Sequence, residues 1–493
     1  MVSNETIFRP NSRKFRQGEK HMKHFLQLHK NIGFVFLIIL VFPFHTQSQG
    51  NEWNDPLINN VNTEPGHTPF IYHADKQSAV RNISESSPYF RSLNGIWKFH
   101  WCRKPADRPI DFYKTSYDAS NWKEIKVPGE WQLQGFGVPI DVNNGFGFEN
   151  RFPRAPDNYN PVGSYIREFE IPSHWKHKEV FLHFGGVSSA YYVWINGKYV
   201  GYSEDSRTDR EFDISGYVQE GNNSIAVQVF RWCDGSYLED QDFWRFSGIE
   251  RDVYLSCANP IAVRDIEIIA TLDDQYIDGL FLAKVLVKNY VAGDRSADLK
   301  IELTDERSKK IVFSNVQKIN FAGINEQSIH FTTTVSSVAP WSAEKPNLYH
   351  LTLTLKEGKN IQVIDQKVGF RKLEIKNKQL LVNGRPVYLK GVNRHEHNQY
   401  TGRTLSHDQM EKEVKQMKQF NINAVRCSHY PDDTYWYDLC DEYGIYLVDE
   451  ANIEAHGLIT YTPAPDYFHK AVSPIADDSL WKDALQFRIK NMG

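Results

Sequence analysis

The chain has 493 residues, long enough for roughly three domains of about 150 residues each. Its 41% hydrophobic and 24% charged content is ordinary for a soluble globular protein. A net charge of −4, with no Lys/Arg block beyond the N-terminus, argues against nucleic acid as a partner. The aromatics (12 Trp, 25 Tyr, 30 Phe) suit sugar stacking, but core packing accounts for most of them.

Residues 1–50 read as an export signal. Ile32 to Phe44 is an apolar stretch of 13 residues behind a basic region and ahead of a polar one. At ~1.5 Å per helical residue it falls short of a ~30 Å bilayer core, so a cleaved signal peptide is expected, with Met22 as the true start and a periplasmic or extracellular destination. The five cysteines (Cys102, Cys233, Cys257, Cys427, Cys440) are too sparse for a disulfide framework and lack zinc spacing. They are expected as buried thiols.

Residues 51–257 form a succession of short strands. Val180–Phe184 ends at Gly185-Gly186, and Tyr191–Ile195, Asn196-Gly197 and Lys198–Val200 read as a hairpin with a type I′ turn. A jelly-roll-like sandwich is predicted here. Residues 258–371 carry further strands, among them Gly279–Val287 and the alternating Tyr349–Leu355, with little concentrated polar chemistry. They predict an immunoglobulin-like sandwich acting as a spacer.

Over 372–493 the period changes. Val387-Tyr388-Leu389, Ile422–Val425 and Ile445–Val448 predict three strands, each followed by a helix. The first helix opens on Ser406 with Gln409 three residues on, a capping box, and buries Met410, Val414 and Met417. The second runs from near Pro431 to Gly444, and the third starts near Asp478 or Ser479 with Leu480, Ala484 and Phe487 on one face. These are three β/α units of a parallel TIM (β/α)8 barrel. Directly after the strands come His395-Glu396-His397, Arg426 to Tyr430, and Asp449 to His456, where such a barrel holds its active site. Any one of them, His397 or Glu450 for example, could equally be a hydrogen-bonded barrel residue. Glu454 and His456, two apart on an extended segment, share a face and fit a salt bridge as well as a shared ion.

From Arg91-Ser92-Leu93-Asn94-Gly95 onward the chain resembles glycoside hydrolase family 2, in its multidomain bacterial β-galactosidase branch. The resemblance rests on Trp131-Gln132, Ser203–Arg207, the run Asp234-Gly235-Ser236-Tyr237-Leu238-Glu239-Asp240-Gln241-Asp242-Phe243-Trp244, and Asn423 to Pro431. It implies that His395 and His429 bond galactose hydroxyls and stabilise the transition state. It implies that Asp234 binds substrate directly and through Na⁺, and that Asn143 touches the sugar. Glu454 and His456 become ligands of Mg²⁺. Where the β-glucuronidase branch has Asp, this chain has His397. The two glutamates that a retaining glycosidase needs have no counterpart in these motifs. The chain alone is therefore expected to be inactive, with apolar surface exposed at Val425 and Val448 and a poorly stable third domain. The alternatives are another family 2 exoglycosidase, such as a β-glucuronidase, or a non-catalytic carbohydrate-binding protein. Family members are often homo-oligomers.

Overall fold

The computed structural model describes residues 50–143, 145–460 and 474–492, so the apolar stretch at 32–44 lies outside them. Among the described residues no helix is long and apolar enough to cross a membrane.

The first domain pairs two antiparallel sheets. One has seven strands, in the order Asn60–Val61, Lys198–Glu204, Ala190–Ile195, Gly221–Phe230, Val162–Ile171, Gly95–Cys102 and Lys123–Val127. The other runs Arg210–Asp213, Glu179–Phe184, Val253–Ala258, Phe90–Ser92. Alternation along Ala190–Ile195 explains why six consecutive residues are buried. Tyr191, Val193 and Ile195 enter the core between the sheets, while Ala190, Tyr192 and Trp194 pack with Trp53 and Phe112 on the opposite face. Asn196 and Gly197 both adopt positive φ (51° and 79°), and Ile195 pairs with Lys198, as a type I′ hairpin requires.

The second domain is also a pair of antiparallel sheets. Ile261–Leu272, Gly279–Asn289 and Asn325–Val335 form one, and Ile311–Ala322, Asp294–Asp305, Tyr349–Glu357 and Asn360–Val368 the other. Every second residue of Gly279–Asn289 is buried, the signature of a sheet with one face on a core. All five cysteines are buried free thiols.

The third domain contains a parallel sheet of Gly391–Arg394, Ala424–Cys427 and Tyr446–Val448, flanked by helices His407–Gln419 and Thr434–Tyr443. Its core joins Met410, Val414, Val425, Cys427, Trp436, Leu439, Cys440 and Ile445, with Met417 at the margin. Three expectations need correction. The first strand begins at Gly391, not Val387, because the Asn423 side chain takes the pairing groups of the preceding residues. Its Oδ1 accepts from the Lys390 amide at 2.7 Å and its Nδ2 donates to Tyr388 O at 2.9 Å. The second helix begins at Thr434, capped by Asp433, three residues after Pro431. Val425 is 1% exposed, since its strand is the central one of three, whereas Val448 on the edge strand is 46% exposed.

The capping box is half made. Ser406 Oγ accepts from the Gln409 amide, but the Gln409 side chain turns to His397 O (3.1 Å), Glu413 and Asn398. That diverts a helix-capping residue to pinning the loop that carries His395. The third helix, Lys482–Lys490, buries Ala484 and Arg488 and follows a turn, capped by Asp478, that buries Trp481; Leu480 in the turn and Phe487 in the helix are only half-buried.

Candidate active site

Each polar cluster leaves the C-terminal end of a parallel strand, so the chain direction alone gathers them on one rim. Asn393 and Arg394 lie within the first strand, and Arg426 and Cys427 within the second, rather than after them. The His395 and His429 rings stand 5.7 Å apart. His429 Nδ1 lies 3.0 Å from Glu450 Oε2 and 3.0 Å from Arg426 Nη2. Arginine only donates, so a protonated Nδ1 donates to Glu450 and a bare Nδ1 accepts a hydrogen bond from Arg426. Arg426 is itself ion-paired with Glu450. On the other side of the ring, His429 Nε2 is 3.7 Å from Glu454 Oε2, and Glu454 Oε1 is 3.9 Å from His456 Nδ1. His395, His429, Glu454 and His456 thus form one continuous group.

The first sandwich supplies a wall of this site. The Phe243 ring stacks on His395 at 4.4 Å with the planes 7° apart, and meets His397 edge-on at 5.4 Å. Phe243 is held by pairing with Val142 in the short strand Ile140–Val142. Asn143 follows that pair directly and is exposed. Phe243 lies inside the run that carries the family resemblance, yet nothing local in the sequence assigns it to His395.

Earlier in that run, Glu239 and Asp240 pair in parallel with Glu454 and Ala455. Asp240 accepts from the Gly457 amide and pairs with Arg245 at 2.6 Å. Gln241 Nε2 donates to Asn452 Oδ1 at 3.0 Å, and Asn452 Nδ2 to Asp205 Oδ1 at 2.9 Å. Asp234 sits at the start of this segment, 1% exposed, its oxygens meeting no partner beyond its own amide. Burial, then the neighbouring Glu204, push its carboxyl well above the usual range, while Arg488 pulls it down.

Burial lowers the pKa of His395 to about 4, and Arg403, His429, Arg207 and His397 add to the shift. The ring is therefore neutral near pH 7 and can both donate to and accept from a hydroxyl. Burial raises the Glu454 carboxyl, with His429 and His456 opposing. Glu454 Oε2 is buried without a hydrogen-bond partner. The Glu454 carboxyl, with that orphaned oxygen, and the His456 ring suit a cation, since Oε1 and Nδ1 at 3.9 Å are both within reach of an ion ~2.1 Å from each. Among the described residues no group of three or more His, Cys, Asp or Glu could hold a metal ion, so these two would be a partial ligand set. Asp234, whose buried oxygens meet only its own amide, likewise suits a monovalent cation, which would favour the ionised carboxylate.

Histidines and carboxylates at the ends of parallel β/α strands, walled by an aromatic from an antiparallel sandwich, define a multidomain chain with one composite site at a barrel-type rim. Residues 90–259 match the sugar binding domain of glycosyl hydrolases family 2, residues 261–371 that family's central domain, and residues 373–493 its TIM barrel domain. The chain belongs to glycosyl hydrolase family 2. It is 42% identical over 462 residues to a β-galactosidase of Priestia megaterium, covering 91% of this chain and 44% of that one. It is 43% identical over 410 residues to a β-galactosidase of Streptococcus thermophilus, covering 82% and 39%. The chain spans less than half the length of these relatives. Among solved structures, a Bacteroides uniformis β-glucuronidase superimposes with a TM-score of 0.68 at 21% identity, over 82% of this chain and 44% of that one, a likeness of fold.

Proposed function

We propose that this chain binds and orients the sugar in a retaining β-galactosidase acting on terminal β-galactosides. The observation that carries the reading is the alignment of His395, His429, Glu454 and His456 into one group, in a chain at 42% identity to a β-galactosidase. In this reading His395 and His429 bond sugar hydroxyls, and bonds that tighten in an oxocarbenium-like transition state lower the barrier by a few kcal/mol. Asn143 and Asp234 contact the sugar, Asp234 also through Na⁺. Glu454 and His456 hold Mg²⁺, which when bound supplies positive charge beside the reacting sugar. The Glu450–Arg426 pair holds the orientation of the His429 ring through Nδ1. We further read the two sandwiches as jelly-roll-like and immunoglobulin-like, and the parallel strands as the first three units of an eightfold barrel. The basic and apolar stretch before residue 50 supports export.

Calorimetry on the purified chain tests this. Galactose is expected to bind and glucuronate not to. Mg²⁺ is expected to bind at least about tenfold more weakly after Glu454→Gln, since even outer-shell changes cost 10–100-fold. Nitrophenyl β-galactoside is expected to stay intact with this chain alone. Preference for glucuronate over galactose would overturn the reading.

A further inference from the structure

Glu396 stands between His395 and His397 but is 1% exposed, and its partners come from elsewhere. Its Oε2 accepts from Arg251 Nη2 at 2.8 Å and its Oε1 from the Asp433 amide at 2.8 Å. Arg251 belongs to the first sandwich, just before the strand Val253–Ala258. The same Nη2 also donates to Pro431 O at 2.7 Å, two residues beyond His429, and Nη1 donates to Arg207 O at 2.9 Å. Arg207 pairs with Glu250 at 2.6 Å and lies over the Tyr430 ring at 4.8 Å. The Tyr430 hydroxyl in turn accepts from the Glu396 amide at 3.3 Å and lies 3.4 Å from His395 Nδ1. Both loops that carry the site histidines are thus referred to one guanidinium of another domain.

We infer that Arg251 is a positioning residue, which sets the relative placement of His395 and His429 by clamping Glu396 and Pro431 from the sandwich. The inference rests on the sugar-binding role proposed for those histidines. A buried ion pair is a poor device for stability alone, because desolvation cancels most of its attraction. A planar fork that reaches two loops at once is a good device for geometry. Small displacements of binding groups are costly: about 1 Å can lose 10²-fold.

The test uses the full chain with isotope-labelled histidines and two readouts, ring resonances and galactose calorimetry. Arg251→Met is expected to shift the His395 and His429 ring signals together and to weaken galactose by about tenfold or more. Arg251→Lys, which keeps a cation beside Glu396, is expected to recover much of that loss. Ring signals unmoved in a folded Arg251→Met protein would overturn the inference, and so would moved signals with unchanged affinity. If Arg251→Met does not fold, Glu396→Gln takes its place, since it keeps the acceptor for Asp433 N and removes the charge facing Arg251. Unmoved rings there would be equally fatal. If the unaltered chain binds no galactose, the proposed function falls, and the ring signals alone decide the role of Arg251.

Discussion

Replacing Arg488 by Met is expected to destabilise the chain by about 3–5 kcal/mol, the range for removing one partner of a buried charge network. Arg488 is 1% exposed. Its Nη1 donates to Glu239 Oε1 at 2.7 Å and to Asn452 O at 2.8 Å, its Nη2 reaches Gly235 O at 3.3 Å, and Asp205 lies 3.6 Å away. Burial works against the charge, but Glu239, Asp205 and Glu204 outweigh it and hold the guanidinium above its ordinary pKa. Methionine fills much of the same volume, so lost charge rather than a cavity dominates. It would leave Glu239 and Glu204 buried without this cation, and Glu204 is already pushed up to about 7, by burial above all. Urea unfolding followed by tryptophan fluorescence reads the effect, with Trp481 about two turns of chain away as a local reporter. A cost below about 1 kcal/mol would show that the surrounding carboxylates are satisfied without it.

The consequence reaches the site. Arg488 fastens Gly235 and Glu239 at one end of the segment that pairs with Glu454 and Ala455. At the other end of the rim, Arg251 fastens the histidine loops. Arginine clamps therefore join sandwich and barrel, Arg488 beside Asp234 and Glu454 and Arg251 beside His395 and His429, with Arg403 donating to Trp244 O at 2.9 Å as a third. Residues distant in sequence become a single rim because buried guanidinium groups, rather than apolar packing alone, set the seam.

That seam marks the limit of what the sequence discloses. Period-2 and period-3.6 patterns are local, so the Asn196-Gly197 hairpin and the Met410/Val414 helix face could be read directly. The three histidine and carboxylate clusters were legible for the same reason, since chain direction puts strand ends on one rim. The start of the first parallel strand was not, because a side-chain amide 33 residues on, Asn423, replaces the ladder at Lys390. Glu396 passed for one more polar residue in a cluster, because its partner Arg251 lies 145 positions away. Phe243 and Arg488 were missed likewise. An aromatic and an arginine carry no local mark of a ring-stacking or hub role until the fold brings His395 and Glu239 to them.

Acid is expected to weaken the chain through His395 over a defined window. In the unfolded chain the ring titrates near its ordinary value of 6.5, and in the fold near 4, because burial first and Arg403, His429, Arg207 and His397 after it disfavour the cation. Above pH 6.5 both states are neutral and the group contributes nothing. Between about 6.5 and 4 the unfolded chain binds a proton that the folded one refuses, so stability falls as pH falls, by ~1.4 kcal/mol per unit. Below 4 both are protonated and the loss levels off. From pH 7 to pH 5 this amounts to at most about 2 kcal/mol, reduced by the solvent that reaches the half-buried ring. His395→Phe keeps an aromatic ring to stack on Phe243 but cannot titrate, so other acid-sensitive groups cancel between the two proteins. Denaturant unfolding at both pH values should show the unaltered chain losing the extra stability. Equal losses in the two proteins would mean that His395 is as easily protonated in the fold as in water, and that burial does not hold the ring neutral in acid.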